Sequence, residues 1–334
     1  MCSFFRSHFV VTVLVLLFSL SNQSTLSGQT YLFVTEYNSG TLLAFDPVTG
    51  NSIPNLLPSS SFAPVGGSNQ GVDGMIVDNQ QRLWINRGDG TIWAAAQDFS
   101  SISQVADLPG SPSLLDATRN ASHAFVSEFG QTTLYQVDLT TPSTVVAISG
   151  PIGASSFDGV RIGPDGRLYA VNNNGAIYAY DLNSSTWSTF LDLNVSGRAA
   201  SQMEFGSDSQ VYVSGVQGGS PAIFRYTLNI AGDYSSGLNA GSEVLIGSYG
   251  SSGNATGIRI GPDGRLYANA FNDGEVWRSN VGITEMEGSA FITGLQGPGS
   301  LSFYTIPEPS NLGLIFLSSL ICVAWIRRRR QNAC

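Results

Sequence analysis

The sequence predicts an all-β protein, a six-bladed β-propeller, and three observations carry that expectation. A ten-residue segment, Arg161-Ile-Gly-Pro-Asp-Gly-Arg-Leu-Tyr-Ala170, recurs letter for letter at residues 259–268. Weaker copies follow one another at a period of about 40 to 55 residues, the spacing of propeller blades rather than of helical repeats. No stretch of comparable length shows the roughly 3.6-residue period of an amphipathic helix.

Each exact copy reads as a β-hairpin. Pro164 and Pro262 fix φ at the second turn position, Asp165 and Asp263 tolerate the bridge conformation, and Gly166 and Gly264 supply positive φ. Carried along the chain, the pattern places second strands at 31–35, 82–85, 123–127, 167–171, 210–214 and 265–269. Third strands follow at 41–45, 91–95, 133–137, 176–180, 222–226 and 275–278, after turns such as 172–175 and 272–274. Fourth strands are expected at 104–108, 144–148, 189–193, 243–246 and 290–293. Six second strands mean six blades. The first blade has no inner strand ahead of Tyr31, whereas residues 300–305 (SLSFYT) form a strand with nothing after it. Pairing the two closes the ring in velcro fashion and leaves no open sheet edge.

The two ends of the chain read differently from its body. Residues 1–8 carry one Arg and no acid, residues 9–20 are apolar, and residues 21–30 are small and polar, the order of a secretory signal peptide over 1–29. The apolar run is short for a bilayer core of roughly 30 Å, although an uncleaved N-terminal anchor is the other reading. At the far end stand Pro307-Glu308-Pro309, the apolar residues 311–326, and Arg327, Arg328, Arg329 and Arg330. Four arginines hold the extreme C-terminus on the cytoplasmic side, which puts the body outside. These three elements in this order resemble the PEP-CTERM sorting signal. The resemblance implies a body at 30–306 held by a single transmembrane segment within 307–334 until an exosortase-type enzyme cuts near Pro307 to Pro309. A plain tail anchor is the alternative.

Composition excludes several chemistries. Without Arg6, Arg327 to Arg330 and Glu308, the body holds 10 basic and 23 acidic residues, a net charge near −13. Nucleic acid is therefore a poor partner, because phosphate binding needs a basic stripe. Every basic residue is Arg, so Schiff-base chemistry and a lysine nucleophile are ruled out. Cys2, Cys322 and Cys334 all lie in the end segments, which leaves the body without a disulfide framework, thiolate metal site or cysteine nucleophile. His123 is the one histidine of the body; neither HExxH nor GxSxG surrounds it, and it reads as an ordinary half-buried strand residue.

In a propeller the loops leading into inner strands and those leaving second strands share one face around the channel mouth. That places Asp73 and Asp158 near Glu36, Asn86, Glu128, Asn172 and Asn269. Oxygen donors without Cys or His suit a hard cation such as Ca²⁺, and Asp73, Asp158, Asn172, Glu36 and Asn86 are the candidate ligands. The other reading takes Asp-Gly and Asn-Gly as turn formers and the asparagines as strand caps. The phrase GPDGRLYA resembles NHL, SMP-30/gluconolactonase-like and streptogramin-lyase-like propellers, and the gluconolactonase-like resemblance implies a divalent metal at this mouth held by Glu, Asn and Asp. The chain departs from that pattern in blades three, five and six, where Ser113-Leu114, Gln202-Met203 and Thr256-Gly257 replace Asp-Gly. Two functions follow as expectations. One is a non-enzymatic binding or structural module of the envelope or exopolysaccharide. The other is a metal-dependent lactonase or lyase in which the cation polarises an ester carbonyl and an Asp acts as base. No catalytic residue is assigned.

Overall fold

The computed structural model describes residues 28–54, 71–97, 99–110, 114–192, 199–207, 209–280 and 285–306. The expected signal peptide, sorting motif and apolar tail lie outside them. Nearly all described residues belong to one compact unit, Tyr31–Tyr304; the other, Met1–Thr30 with Thr305–Cys334, is described only at 28–30 and 305–306. Among the described residues no helix is long and apolar enough to cross a membrane.

Every regular element described is a β-strand. The first blade opens with β1 (Gln29–Glu36) and β2 (Thr41–Phe45). Blade two is β3 (Val72–Val77), β4 (Leu83–Arg87), β5 (Thr91–Ala95) and β6 (Ile102–Asp107). Blade three is β7 (Leu114–Arg119), β8 (His123–Glu128), β9 (Leu134–Asp138) and β10 (Val145–Ile148). Blade four is β11 (Phe157–Ile162), β12 (Leu168–Asn172), β13 (Ile177–Asp181) and β14 (Thr186–Leu191). Blade five is β15 (Ala200–Phe205), β16 (Gln210–Gln217), β17 (Ser220–Ile230) and β18 (Asp233–Ser248), and blade six is β19 (Ile258–Ile260), β20 (Arg265–Ala270) and β21 (Glu275–Asn280). The last strand, β22 (Pro298–Ile306), returns to the first sheet and pairs with β1, giving the order β2-β1-β22. The sheets are therefore six, and the orphan strand of the sequence closes the ring.

Two parts of the strand pattern differ from expectation. The fourth strand at 290–293 is reduced to a single bridge, Val276↔Ile292. The reason is local: Phe291 N–H and Ile292 N–H both donate to the carbonyl of Val276, at 2.8 and 3.1 Å, so the ladder does not advance. In blade five the outer hairpin runs well past the expected 222–226 and 243–246, and its three register shifts bend it as bulges do.

The core is made in the seams between blades. Each second strand carries one aromatic side chain at the same step, namely Phe33, Trp84, Phe125, Tyr169, Tyr212 and Tyr267, all essentially fully buried. At about 1.5–3 kcal/mol per large apolar side chain, this one position per blade is a main source of stability. Its neighbours come from its own blade and the next: the Tyr169 ring lies 4.6 Å from Phe190 of blade four and 5.0 Å from Phe205 of blade five, and Trp84 shares a buried cluster with Ile92 of its own blade and Leu114, Ala117 and Val126 of the next.

The duplicated hairpins turn as their sequence requires. Gly166 and Gly264 have φ of 79° and 75°, and Gly163 N–H and Gly261 N–H close the turns on Arg167 O and Arg265 O. The turn acid then does more than shape the turn. Asp165 accepts from Arg167 Nε at 2.6 Å and Tyr169 Oη at 2.9 Å, while Asp263 accepts from Tyr267 Oη at 2.9 Å. The related hairpin of blade two repeats the device, with Asp78 accepting from Arg82 Nε and Trp84 Nε1. Burying a Tyr or Trp without a partner for its polar tip is costly, and the turn acid supplies that partner.

Candidate functional site at the channel mouth

The inner strands β3, β7, β11, β15 and β19 pack beside one another in order around the axis. Four of them are bulged near their first residues: the register shifts between Val72 and Met75, Leu114 and Ala117, Phe157 and Gly159, and Ala200 and Gln202. A bulge re-aims the residue it contains. Asp73 and Asp158 occupy two of these bulges.

The glycines after them serve close approach rather than a turn. A Cβ on Gly74 would stand 2.5 Å from Leu115 O and 2.6 Å from Ala117 N, and one on Gly159 would collide with Ser201 O. Asp-Gly at these two sites therefore lies within the inner strands, which must pass close to the next blade.

Asp73 and Asp158 are brought together, and with them a third acid, Asp116, that no motif marks in the sequence. Burial first, then the charges of Asp116 and Asp158, hold the Asp73 carboxyl well above the usual carboxylate range. Burial lifts Asp158 to about 6, opposed by a hydrogen bond from Ser156. Asp116 is fully buried; burial raises its pKa against the opposing pull of Arg161 and of the N–H groups of Val160 and Ala117. Asn86 is close by, donating from Nδ2 to Leu115 O at 2.6 Å while its buried Oδ1 has no partner among the described residues.

Glu36 and Asn172 are engaged elsewhere. Glu36 accepts from Ser39, Thr41 and, at 2.8 Å, Gln296 N–H, which pins the turn after β1. Asn172 Oδ1 accepts from Ser155 N–H, Ser155 Oγ and Ser156 N–H, tying down the loop that leads into β11. Two carboxylates and one amide oxygen then remain of the five expected ligands, short of the roughly six to eight oxygens Ca²⁺ takes. No group of three or more His, Cys, Asp or Glu suited to a metal occurs among the described residues.

Of the three acids, Asp116 has a basic partner. Arg259 Nη2 of blade six reaches Asp116 Oδ1 of blade three at 3.4 Å, and blades three and six are opposite in a ring of six. The same guanidinium donates to Gln202 Oε1 at 3.2 Å. Arg161 of blade four donates from Nε to Met203 O at 3.0 Å and lies 3.7 Å from Glu204, whose own pKa burial raises and Arg161 lowers. One ion pair thus spans opposite blades, and the other joins neighbours. Their signal in the sequence is the first letter of each exact copy, an Arg flanked by apolar residues in a strand that has to be inner.

A second regularity has only a faint signature in the sequence. At the step where the second strand leaves the core, five of the six blades turn a short polar side chain, Thr35, Asn86, Ser127, Ser214 or Asn269, onto an inner strand, and blade four has Val171 there. Ser127 Oγ reaches Asp158 O at 3.4 Å, and Asn269 Nδ2 donates to Pro298 O and Gly299 O at 2.8 and 2.7 Å. Asn269 is therefore a blade-to-blade tie. His123 stands at the start of β8, the strand end away from the mouth, bonded through Nδ1 to Ser122 Oγ at 2.8 Å.

No protein-family model matches the chain, and no curated protein matches it. Solved structures do share its fold. A chain of a nidogen/laminin complex is 10% identical with a TM-score of 0.64, the match covering 83% of this chain and 99% of that one. A catalytically inactive histidine-to-alanine variant of virginiamycin B lyase from Staphylococcus aureus, with quinupristin, is 18% identical with a TM-score of 0.51, covering 74% and 73%. A streptogramin B lyase is 17% identical with a TM-score of 0.51, covering 84% and 74%. At such identities the likeness is one of fold.

Proposed function

We propose that this chain is an exported envelope protein whose propeller binds a ligand or partner without transforming it. The observation that carries this reading is the Arg259–Asp116 pair across the axis. It commits one acid of the mouth, Asp116, and the guanidinium of Arg259 to each other rather than to a substrate. A further support is the placement of histidine: His123 is the only one in the body and lies at the far strand end, whereas the similar lyase is inactive in a histidine-to-alanine form. The N-terminal signal and the PEP, apolar and arginine elements support a body outside the inner membrane, tethered in transit and then released by an exosortase-type enzyme to the cell surface, outer envelope or matrix. Extracellular polysaccharide is the partner that such a destination offers.

The second reading, a metal-dependent lactonase or lyase, is favoured by one observation. Asp158, with its pKa near 6 at the mouth, is poised to take a proton near neutrality. The oxygens around it do not complete a cation site, so no step through a metal is drawn. One experiment separates the readings: the full chain and Asp158→Asn are screened for lactone hydrolysis and streptogramin cleavage, with and without Ca²⁺. Binding without turnover is the expected result. Turnover that disappears in Asp158→Asn would replace the binding reading with the enzymatic one.

A further inference from the structure

A groove of about 280 Å³ opens on the flank of the ring, between the outer strands of blades three and four. Two cross-strand pairs face each other over it. On blade four Tyr180 stands opposite Trp187, with ring centroids 4.9 Å apart and planes tilted by 51°. On blade three Gln136 stands opposite Val146, which is 51% exposed. The indole is held in place without covering the groove: Trp187 Nε1 donates to Ser149 O at 2.8 Å, and Phe157 supports the ring at 5.5 Å.

The polar groups of this groove are unused. The Gln136 amide, the Tyr180 hydroxyl and the hydroxyls of Ser149 and Ser185 make no hydrogen bond to another described residue, although all four side chains line it. None of the lining side chains is charged. The set therefore offers an aromatic platform, one planar group that both donates and accepts, and three hydroxyls that do either.

We infer that this flank groove is a saccharide-binding site for neutral hexose units of an oligosaccharide or polysaccharide. A pyranose has an apolar C–H face that stacks on an indole and a rim of hydroxyls that need donors and acceptors together, which is the complement of this lining. A phosphate or ammonium ligand would find no countercharge. An apolar peptide would bury the four polar groups unpaired, at a cost for each. The volume lies at the low end of ligand pockets, roughly 300–1,000 Å³, and fits one or two sugar rings. Since the groove is open to solvent, a longer glycan can enter and leave it along the flank.

The inference deepens the reading of an exported module associated with polysaccharide and rests on that reading for its purpose, not for its geometry. The test is calorimetric titration of the full chain with maltohexaose, cellohexaose and mannohexaose, with glucose as a one-ring control. At least one hexasaccharide should bind, with glucose about tenfold weaker. Trp187→Ala should lower the affinity about tenfold or more. Gln136→Ala and Tyr180→Phe leave the packing in place and should each lower it about three- to tenfold. Binding of none of the three hexasaccharides, or binding unchanged in all three variants, overturns the inference. That failure would leave the mouth and export untouched; finding the body inside the cell would remove the export reading while leaving the titration to stand.

Discussion

The two exact copies of the decapeptide, in blades four and six, begin as the same ten letters and end in different company. Their backbones agree: both turn through a glycine of positive φ, and both seat a buried tyrosine whose hydroxyl donates to the turn acid. Their arginines do not agree. Arg161 serves its neighbour, through Met203 O and Glu204 on blade five, while Arg259 reaches across the axis to Asp116. Arg167 is held by Asp165 at 2.6 Å and by Tyr234 O, whereas Arg265 leans on Glu287 at 3.0 Å. What lies within reach along the chain is therefore fixed by the repeat. What a long side chain meets on the other side of a seam or an axis is fixed by the blade that happens to be there.

The largest expected break in this comparison comes from the closing strand. The blade-six copy has β22 beyond it, with Asn269 bonded to Pro298 O and Gly299 O, while the blade-four copy is flanked by complete four-stranded sheets on both sides. Deleting residues 300–305 removes the inner strand of the first sheet and opens an edge. The loss of several kcal/mol is comparable with the whole stability of a domain, about 5–15 kcal/mol. The truncated chain is expected to be unfolded or aggregated by circular dichroism and light scattering. A cooperative melt close to that of the parent would show that the ring does not depend on this closure.

The arginines themselves give the next effect. Removing either leaves buried acid without its partner, and breaking a buried pair from one side costs about 3–5 kcal/mol. Arg161→Ala and Arg259→Ala are each expected in that range by denaturant titration. Asp116 feels both guanidiniums, one through a 3.4 Å contact and the other as the foremost influence opposing its burial. The double variant should therefore cost less than the two singles together. Strict additivity would mean that the two copies act independently, and Asp116 would not join them.

Much of this architecture was legible because its determinants are local. β2 and β5 fall on the residues expected of them, and the turns follow from Pro, Asp and Gly at set places. The closure was legible by counting strands. The site was only partly so. Asp73 and Asp158 could be placed at the mouth by topology, yet their glycines read as turn formers because nothing in the sequence reveals that Leu115 O and Ser201 O pass so close. Asp116 is followed by no glycine, so no motif marks it. Tyr180 read only as the end of a third strand, and Trp187 fell ahead of the fourth strand expected at 189–193; the groove between them and Gln136 is a property of two blades together. The outer strand at 290–293 failed for a different reason, since two successive N–H groups share the carbonyl of Val276 and no letter of the segment announces it.

The smallest expected effect concerns the residue that stands two places ahead of the equivalent Val160 and Ile258, where the two blades differ. Blade four has Asp158, and blade six has Thr256, whose hydroxyl is satisfied by Asn269 Oδ1 at 3.0 Å and Pro298 O at 2.8 Å. Burial lifts Asp158 from an ordinary 3.8 to about 6, so the folded protein holds this proton more tightly than the unfolded chain does. The group therefore favours the fold fully below about pH 4, and the benefit is lost as the pH rises through 6. A rise of that size corresponds to at most about 3 kcal/mol. Asp158→Asn and Asp158→Thr have no such proton to lose. Against the parent, both variants should gain stability between pH 5 and pH 8, with the gain flattening above pH 7, as read from urea midpoints at unchanged slope. Asp73 moves in the same direction, because removing the Asp158 charge relieves one of the two that press on it. A difference between variant and parent that stays constant from pH 5 to pH 8 would mean that Asp158 is solvated like any surface acid, and the mouth would then hold its carboxylates no differently from the turns.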